Sequence, residues 1–117
     1  MAVPGFPNMF MMMGPHSPIG SQSLIPVAED QAEYALWWIK QIAQGNVIEA
    51  VPTSAATKDY DDAMKAAMPQ TIWVSGCSSW YLGKDGLPER FPRTPERHSA
   101  VLRHPDLRDF EVRTSAE

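Results

Sequence analysis

The chain has one cysteine in 117 residues, which excludes an internal disulfide and fits a reducing compartment. It lacks any excess of positive charge. Ten Lys and Arg against fourteen Asp and Glu leave a formal net charge of −4, so nothing in its charge favours nucleic acid or an anionic membrane as partner. Basic residues gather only toward the C-terminus, where Glu89, Glu96, Asp106, Asp109 and Glu111 are interleaved with them. No apolar run approaches the roughly 20 residues that span a bilayer. The run Met9 to Met13 is no signal peptide, because no basic residue precedes it and Pro4, Gly5 and Pro7 break its approach. A cytoplasmic location is the expectation. There is no G-x-G-x-x-G, hence no pyrophosphate-binding fingerprint, and no Gly-x-Ser-x-Gly elbow around Ser75, Ser78 and Ser79. His98 and His104 have no cysteine or carboxylate at ligand spacing, so no metal site is expected.

What is present is enough for one small domain: 44% apolar residues and four tryptophans argue against a disordered chain. The centre of organisation is residues 7–21. Met9 to Met13 is an unbroken apolar run whose length suits a strand buried on both faces. Gly14-Pro15 ends it, since proline lacks an amide donor and glycine tolerates unusual backbone angles. A turn rich in proline, glycine and serine then leads to a helical pattern from about Ser23. Strand, glycine turn and helix N-terminus in that order present backbone amides and a positive dipole end to an electron-rich ligand. The alternative is an ordinary turn between strand and helix.

The long helix places Ala28, Ala32, Ala35, Leu36, Ile39, Ile42 and Ala43 at spacings of three and four. Pro26 sits in its first turn, Glu29 and Asp30 lie toward its positive end, and Gly45-Asn46 stops it. Trp37 and Trp38 point to different sides. Residues 46–56 read as a connector. A second helix is predicted from Lys58 to Met68, capped by Thr57, with Asp59, Asp61 and Asp62 near its start and Pro69 at its end. Thr71 to Ser75 reads as a strand, Ser78 to Leu82 as its extension, Lys84-Asp85-Gly86 as a turn and Arg90-Phe91 as a return strand. Thr94-Pro95 opens a third helix to about Arg103, and Phe110 to Arg113 is a terminal strand. The fold class is therefore α/β, or α+β in isolation. It has one buried strand, a long helix, two shorter helices and a few short strands.

Pro7-Asn8-Met9-Phe10, Gly14-Pro15, Gly20 and Ser23, followed by Glu29 and Gln31, resemble the closing segment of the FAD domain in flavin-dependent monooxygenases of the Baeyer–Villiger and flavin-containing type. Trp73 to Leu82 is similar to a second block near the C-terminus of that family, in the matching order and separation. The resemblance implies the C-terminal part of an FAD-binding dinucleotide fold. Residues 1–45 would supply the closing strand, glycine turn and long helix, and residues 46–117 a helix–strand extension. It implies FAD and NADPH as cofactors and insertion of one oxygen atom from O2 into a ketone or onto a heteroatom. Gly14, Pro15, His16, Ser17, Pro18, Ile19, Gly20 and Ser21 would then position the flavin, and Leu24 would lie on the substrate side. The family usually carries Asn or Gly where His16 stands. No catalytic residue and no metal ligand is assigned.

A strand as apolar as Met9 to Met13 needs neighbours on both sides, and this chain has no further βα units to provide them. The chain is thus expected to be a C-terminal segment, inactive alone, completed by a missing N-terminal portion or by a homo-oligomer through exposed apolar faces. The expected partners are a small-molecule substrate and that remaining polypeptide, with no nucleic acid and no membrane span. A noncatalytic remnant, a partner-binding module and an unrelated α+β binding domain remain as alternatives. Cys77 has no base specified beside it and reads as core. Met9, Met11, Met12 and Met13 read as strand packing rather than soft-metal or peptide binding. Trp73, Trp80 and Tyr81 either wall an apolar substrate or fill the gap between strand and long helix.

Overall fold

The computed structural model describes residues 1–18, 23–74, 76, 82–88 and 90–115. In chain order the elements are helix α1 (Leu24–Ala43), strand β1 (Glu49–Pro52), helix α2 (Ser54–Ala67), helix α3 (Pro95–Leu102) and strand β2 (Phe110–Arg113). Short 3-10 turns occupy Met68–Gln70, Ile72–Val74 and Leu107–Asp109. The fold is α/β, with three α-helices and one two-stranded antiparallel sheet among the described residues.

Helix α1 begins where its sequence signals it. The Ser23 hydroxyl accepts from the Ile25 amide, and Pro26 falls in the first turn, where a missing donor costs little. The helix closes on Gly45 at φ +77°. The Gly45 amide donates to the Ile42 carbonyl and the Asn46 amide to that of Gln41, both at 3.0 Å. That pair of bonds satisfies carbonyls that would otherwise be orphaned at the helix end. Glu29 and Asp30 lie beyond the first turn, so their contribution to the dipole is smaller than their sequence position suggests.

The sheet differs from expectation. Met9 to Met13 is not a buried strand: Met9, Met11 and Met12 are exposed, and only Phe10 makes a bridge, with Ala2. Asn8 and Met13 bound the run in the left-handed region at φ 56° and 55°, which breaks extended geometry at both ends. The real sheet pairs β1 with β2, from Glu49 opposite Arg113 to Pro52 opposite Phe110, and β1 lies inside the predicted connector. Asn8 completes the other edge of β1. Its amide donates to the Ala50 carbonyl, its Oδ1 accepts from the Ala50 amide (both 2.9 Å), and its Nδ2 donates to the Ile48 carbonyl at 3.0 Å. One side chain thus does for β1 part of what a third strand would do.

Helix α2 starts four residues before the predicted Lys58, because Thr53 rather than Thr57 is the cap, its Oγ1 accepting from the Ala56 amide at 3.1 Å. The predicted strand Thr71 to Ser75 is a 3-10 turn over the described Ile72–Val74. There the Met68 carbonyl accepts from both the Thr71 amide and the Thr71 hydroxyl, which curls the chain against its β-branched composition. The Asp-Gly turn is present, with Leu82 bridging Pro88 across it. The Arg90-Phe91 return pairs elsewhere: Ser17 and Arg90 form a parallel bridge. Thr94 caps α3 and Pro95 opens it, as predicted.

The core centres on Trp38, which is fully buried with Val47 and Ala50. Phe110, Trp37 and Phe10 surround it with ring centroids at 4.8, 4.9 and 6.5 Å. The buried face of α1 is Val27, Gln31 and Trp38. The stripe that defined the helix in sequence includes Leu36, Ile39 and Ala43, all exposed. Ile25 continues that stripe at 70% exposure, so α1 is apolar on two opposite sides. The radius of gyration is 15.4 Å, against about 13 Å for a closed domain of this length. No helix among the described residues is long and apolar enough to cross a membrane.

Candidate functional site

Residues 13–18 form a loop held against α1. Gln31, itself buried, accepts from the Met13 amide through Oε1 at 2.7 Å and donates from Nε2 to the Ser17 hydroxyl at 3.1 Å. The Ser17 carbonyl accepts from the Phe91 amide at 3.2 Å. The strained positions are not the glycine: Met13 and His16 carry φ 55° and 60°, whereas Gly14 has ordinary φ. A Cβ at Gly14 would meet Met11 Sδ at 2.9 Å, a contact that the exposed Met11 side chain can relieve by shifting. Two non-glycine residues in the left-handed region cost about 1–3 kcal/mol each, and the Gln31 and Phe91 bonds hold the loop in that form.

His16 is 8% exposed. Its Nε2 lies 2.7 Å from Asp61 Oδ1, two turns inside α2. The other oxygen of Asp61 meets Lys65 Nζ at 3.0 Å, and Lys65 reaches Asp85 Oδ2 at 3.1 Å. The hydrogen bond from His16, and next that from Lys65, hold the Asp61 carboxyl below its usual range. The His16 Nδ1 is buried and finds no hydrogen-bond partner among the described residues. The Tyr60 ring stands edge-on to the imidazole with centroids 6.1 Å apart.

His16 is in the wall of two adjoining cavities, of about 220 Å³ and about 600 Å³. Gly14 and Pro15 line both. The smaller one runs from the loop past Ser17, Gln31 and Tyr34 to His98 and Leu102 of α3. The larger one opens along α2 at Thr57, Lys58 and Asp61. Burial pushes the His98 imidazole below its ordinary pKa, with the Asp30 charge acting weakly the other way.

Of the residues predicted as cofactor-binding, the structure brings Gly14, Pro15, His16 and Ser17 to the cavity wall and buries Pro18 beside them. Ile19, Gly20 and Ser21 lie outside the described residues, as do Cys77, Trp80, Tyr81 and the side chain of Trp73. Leu24 opens α1, half exposed, and lines neither cavity. Sequence reading missed Asp61, Tyr60 and Gln31 as site residues. Asp61 was assigned to the start of a helix that in fact begins seven residues earlier, and only the chain path brings it to His16. Gln31 was noted only as part of a motif.

The relatives of this chain are monooxygenases. Over 115 residues, 98% of its length, it is 49% identical to an uncharacterized monooxygenase of Mycobacterium tuberculosis, of which it spans 23%. It is 30% identical over 111 residues to a Baeyer–Villiger monooxygenase of Streptomyces coelicolor, covering 92% of this chain and 21% of that one. With an FAD-binding monooxygenase of Aspergillus terreus it shares 34% identity over 80 residues, 68% of this chain and 14% of the relative. No family model matches the chain. These relatives are oxidoreductases of the monooxygenase class, some of them FAD-binding. The chain is homologous along nearly its whole length to a segment of such monooxygenases, and it spans less than a quarter of their length.

Proposed function

We propose that this chain is the C-terminal segment of an FAD- and NADPH-dependent monooxygenase that inserts one oxygen atom from O2 into a ketone or onto a heteroatom. Its role there is to position the flavin. The observation that carries the reading is the loop 14–18, pinned at the wall of the cavities between α1, α2 and α3. The residues fit one end of the cofactor rather than the whole. The smaller cavity, about 220 Å³, is below the roughly 300–1,000 Å³ of complete small-molecule sites and the adjoining one, about 600 Å³, is within that range, but the sequence has no pyrophosphate fingerprint to hold the rest of the dinucleotide. Pro15 and Pro18 have no N–H and the Ser17 backbone is engaged in the bridge to Arg90, so the donors that the loop can offer the pyrimidine edge of the ring are the amides of Gly14 and His16.

When bound, FAD supplies the hydride and oxygen chemistry, with NADPH as reductant. The chain's own residues orient the ring and exclude water from it. Ile19, Gly20 and Ser21 would extend the cradle toward α1, and Leu24 would face the substrate. Residues 1–45 and 46–117 are two parts of one FAD domain in this reading, and the outer apolar face of α1 docks on the rest of that fold. A fluorescence titration of the purified chain with FAD tests it: saturable one-to-one quenching is expected, and no quenching by a folded, monodisperse chain would overturn it.

The same outer face of α1 favours a second reading, in which the chain is a noncatalytic module that binds a partner or its own copy. Ile25, Leu36 and Ile39 are 70%, 47% and 51% exposed along one stripe, an apolar surface that a self-sufficient domain rarely leaves open.

A further inference from the structure

A glutamine buried on the inner face of a helix costs free energy unless its amide is bonded. Gln31 is 1% exposed and shares the buried face of α1 with Val27 and Trp38, where an apolar side chain would fill the space without desolvating an amide. Both ends of that amide go to one loop. The Met13 N–H can only donate, so the atom 2.7 Å from it is Oε1, and the NH2 group is turned to Ser17 Oγ at 3.1 Å. Met13 and Ser17 bracket Gly14, Pro15 and His16, the stretch that lines both cavities. Inside the bracket the Pro15 ring fixes its own φ, and His16 is already in the left-handed region. The Phe91 amide holds the Ser17 end alone, at 3.2 Å. Gln31 holds both ends, so its planar amide limits how far the peptide planes between them can turn.

We propose that Gln31 is a positioning residue that sets the preference of this site for the reduced flavin. By fixing both ends of the loop it aims the amides of Gly14 and His16 at the pyrimidine edge of the ring, and to that extent the inference rests on the flavin reading. That edge becomes anionic when the ring takes up two electrons. Hydrogen bonds to an ionised acceptor are roughly twice as strong as those to a neutral one. Donors already held in place therefore favour the reduced ring, whereas donors free to turn must reorganise and lose that advantage. Gln31 acts through the loop backbone rather than on the ring.

The test is a pair of anaerobic titrations of the 117-residue chain at mildly alkaline pH, one with oxidised FAD and one with FAD reduced by dithionite, both followed by tryptophan quenching. The wild type is expected to bind the reduced form about tenfold more tightly, the difference between neutral and charge-assisted hydrogen bonds. In Gln31→Met, which keeps the length of the side chain and removes both bonds, that ratio should shrink toward one, and the Met13 amide should exchange faster. A role in stability alone would weaken both forms equally and keep the wild-type ratio, and that result overturns this inference. If Gln31→Met does not fold, Ser17→Ala decides, because it removes one of the two bonds: a smaller ratio supports the role of Gln31 and a wild-type ratio overturns it. Saturable binding by the wild type with no preference for reduced FAD overturns this inference and leaves the flavin reading intact. Binding of neither form by the folded wild type overturns the flavin reading and this inference with it.

Discussion

Asn8 supports the sheet with three hydrogen bonds from a left-handed backbone that asparagine adopts more readily than other non-glycine residues. Replacing it by alanine strands the Ala50 amide and strains the turn. Asn8→Ala is expected to cost about 2 kcal/mol, read as a lower urea midpoint at constant slope, and an unchanged midpoint would contradict the role. His98 gives a second residue-scale expectation. Burial lowers its pKa from 6.5, so the unfolded chain takes up the proton first. The contribution of the neutral ring is complete above about pH 6.5 and is lost as pH falls through the folded-state value. The melting temperature should therefore fall between pH 7 and 5, and His98→Phe, which keeps a ring against Phe91 at the 5.0 Å T-shaped contact, should flatten that fall. An equal slope in both proteins would assign the pH dependence to other groups.

At the scale of elements, what the sequence made legible was local. Ser23 with Pro26, Gly45 at the end of α1, and Thr94 with Pro95 are signals whose partners lie within a few residues, and each is used as read. The failures are contacts between distant parts of the chain. β1 is four residues ending in proline, and only its pairing with β2 some sixty residues later makes it a strand. The apolar run Met9 to Met13 satisfies a strand pattern, but periodicity alone cannot reveal that Asn8, one residue earlier, turns its side chain onto β1. The Gly14–Ser17 loop was legible as a site candidate because glycine and proline punctuate it. Its anchors on Asp61 and Gln31 belong to other elements and had no local signal. α2 also supplies a test of caps. With Thr53 bonded to the Ala56 amide, Thr53→Ala should destabilise by about 1 kcal/mol, and Thr57→Ala, which removes a bond to the Thr53 carbonyl from inside the helix, should cost less. The reverse order in thermal denaturation would restore Thr57 as the cap.

The whole molecule is organised around a helix with two apolar sides. Trp38 and its ring neighbours cover one side of α1, and the stripe through Ile25, Leu36 and Ile39 is left to solvent, with Ile72 elsewhere 77% exposed. A helix apolar on opposite faces belongs between two layers, and the relatives have more than three quarters of their length in addition to the segment matched here. Leu36→Glu with Ile39→Lys should leave the monomer folded by circular dichroism and abolish association, measured by sedimentation with the remaining portion of the mycobacterial relative and with itself. Unfolding of the double variant would mean instead that the stripe is core. The central claim, that residues 14–18 cradle a flavin, is tested most directly by hydrogen exchange of the chain with and without saturating FAD. Slowed exchange at the amides of Gly14 and His16, with the β1–β2 pairs unchanged, is the predicted result. FAD binding that protects other segments and leaves these two amides untouched would contradict it.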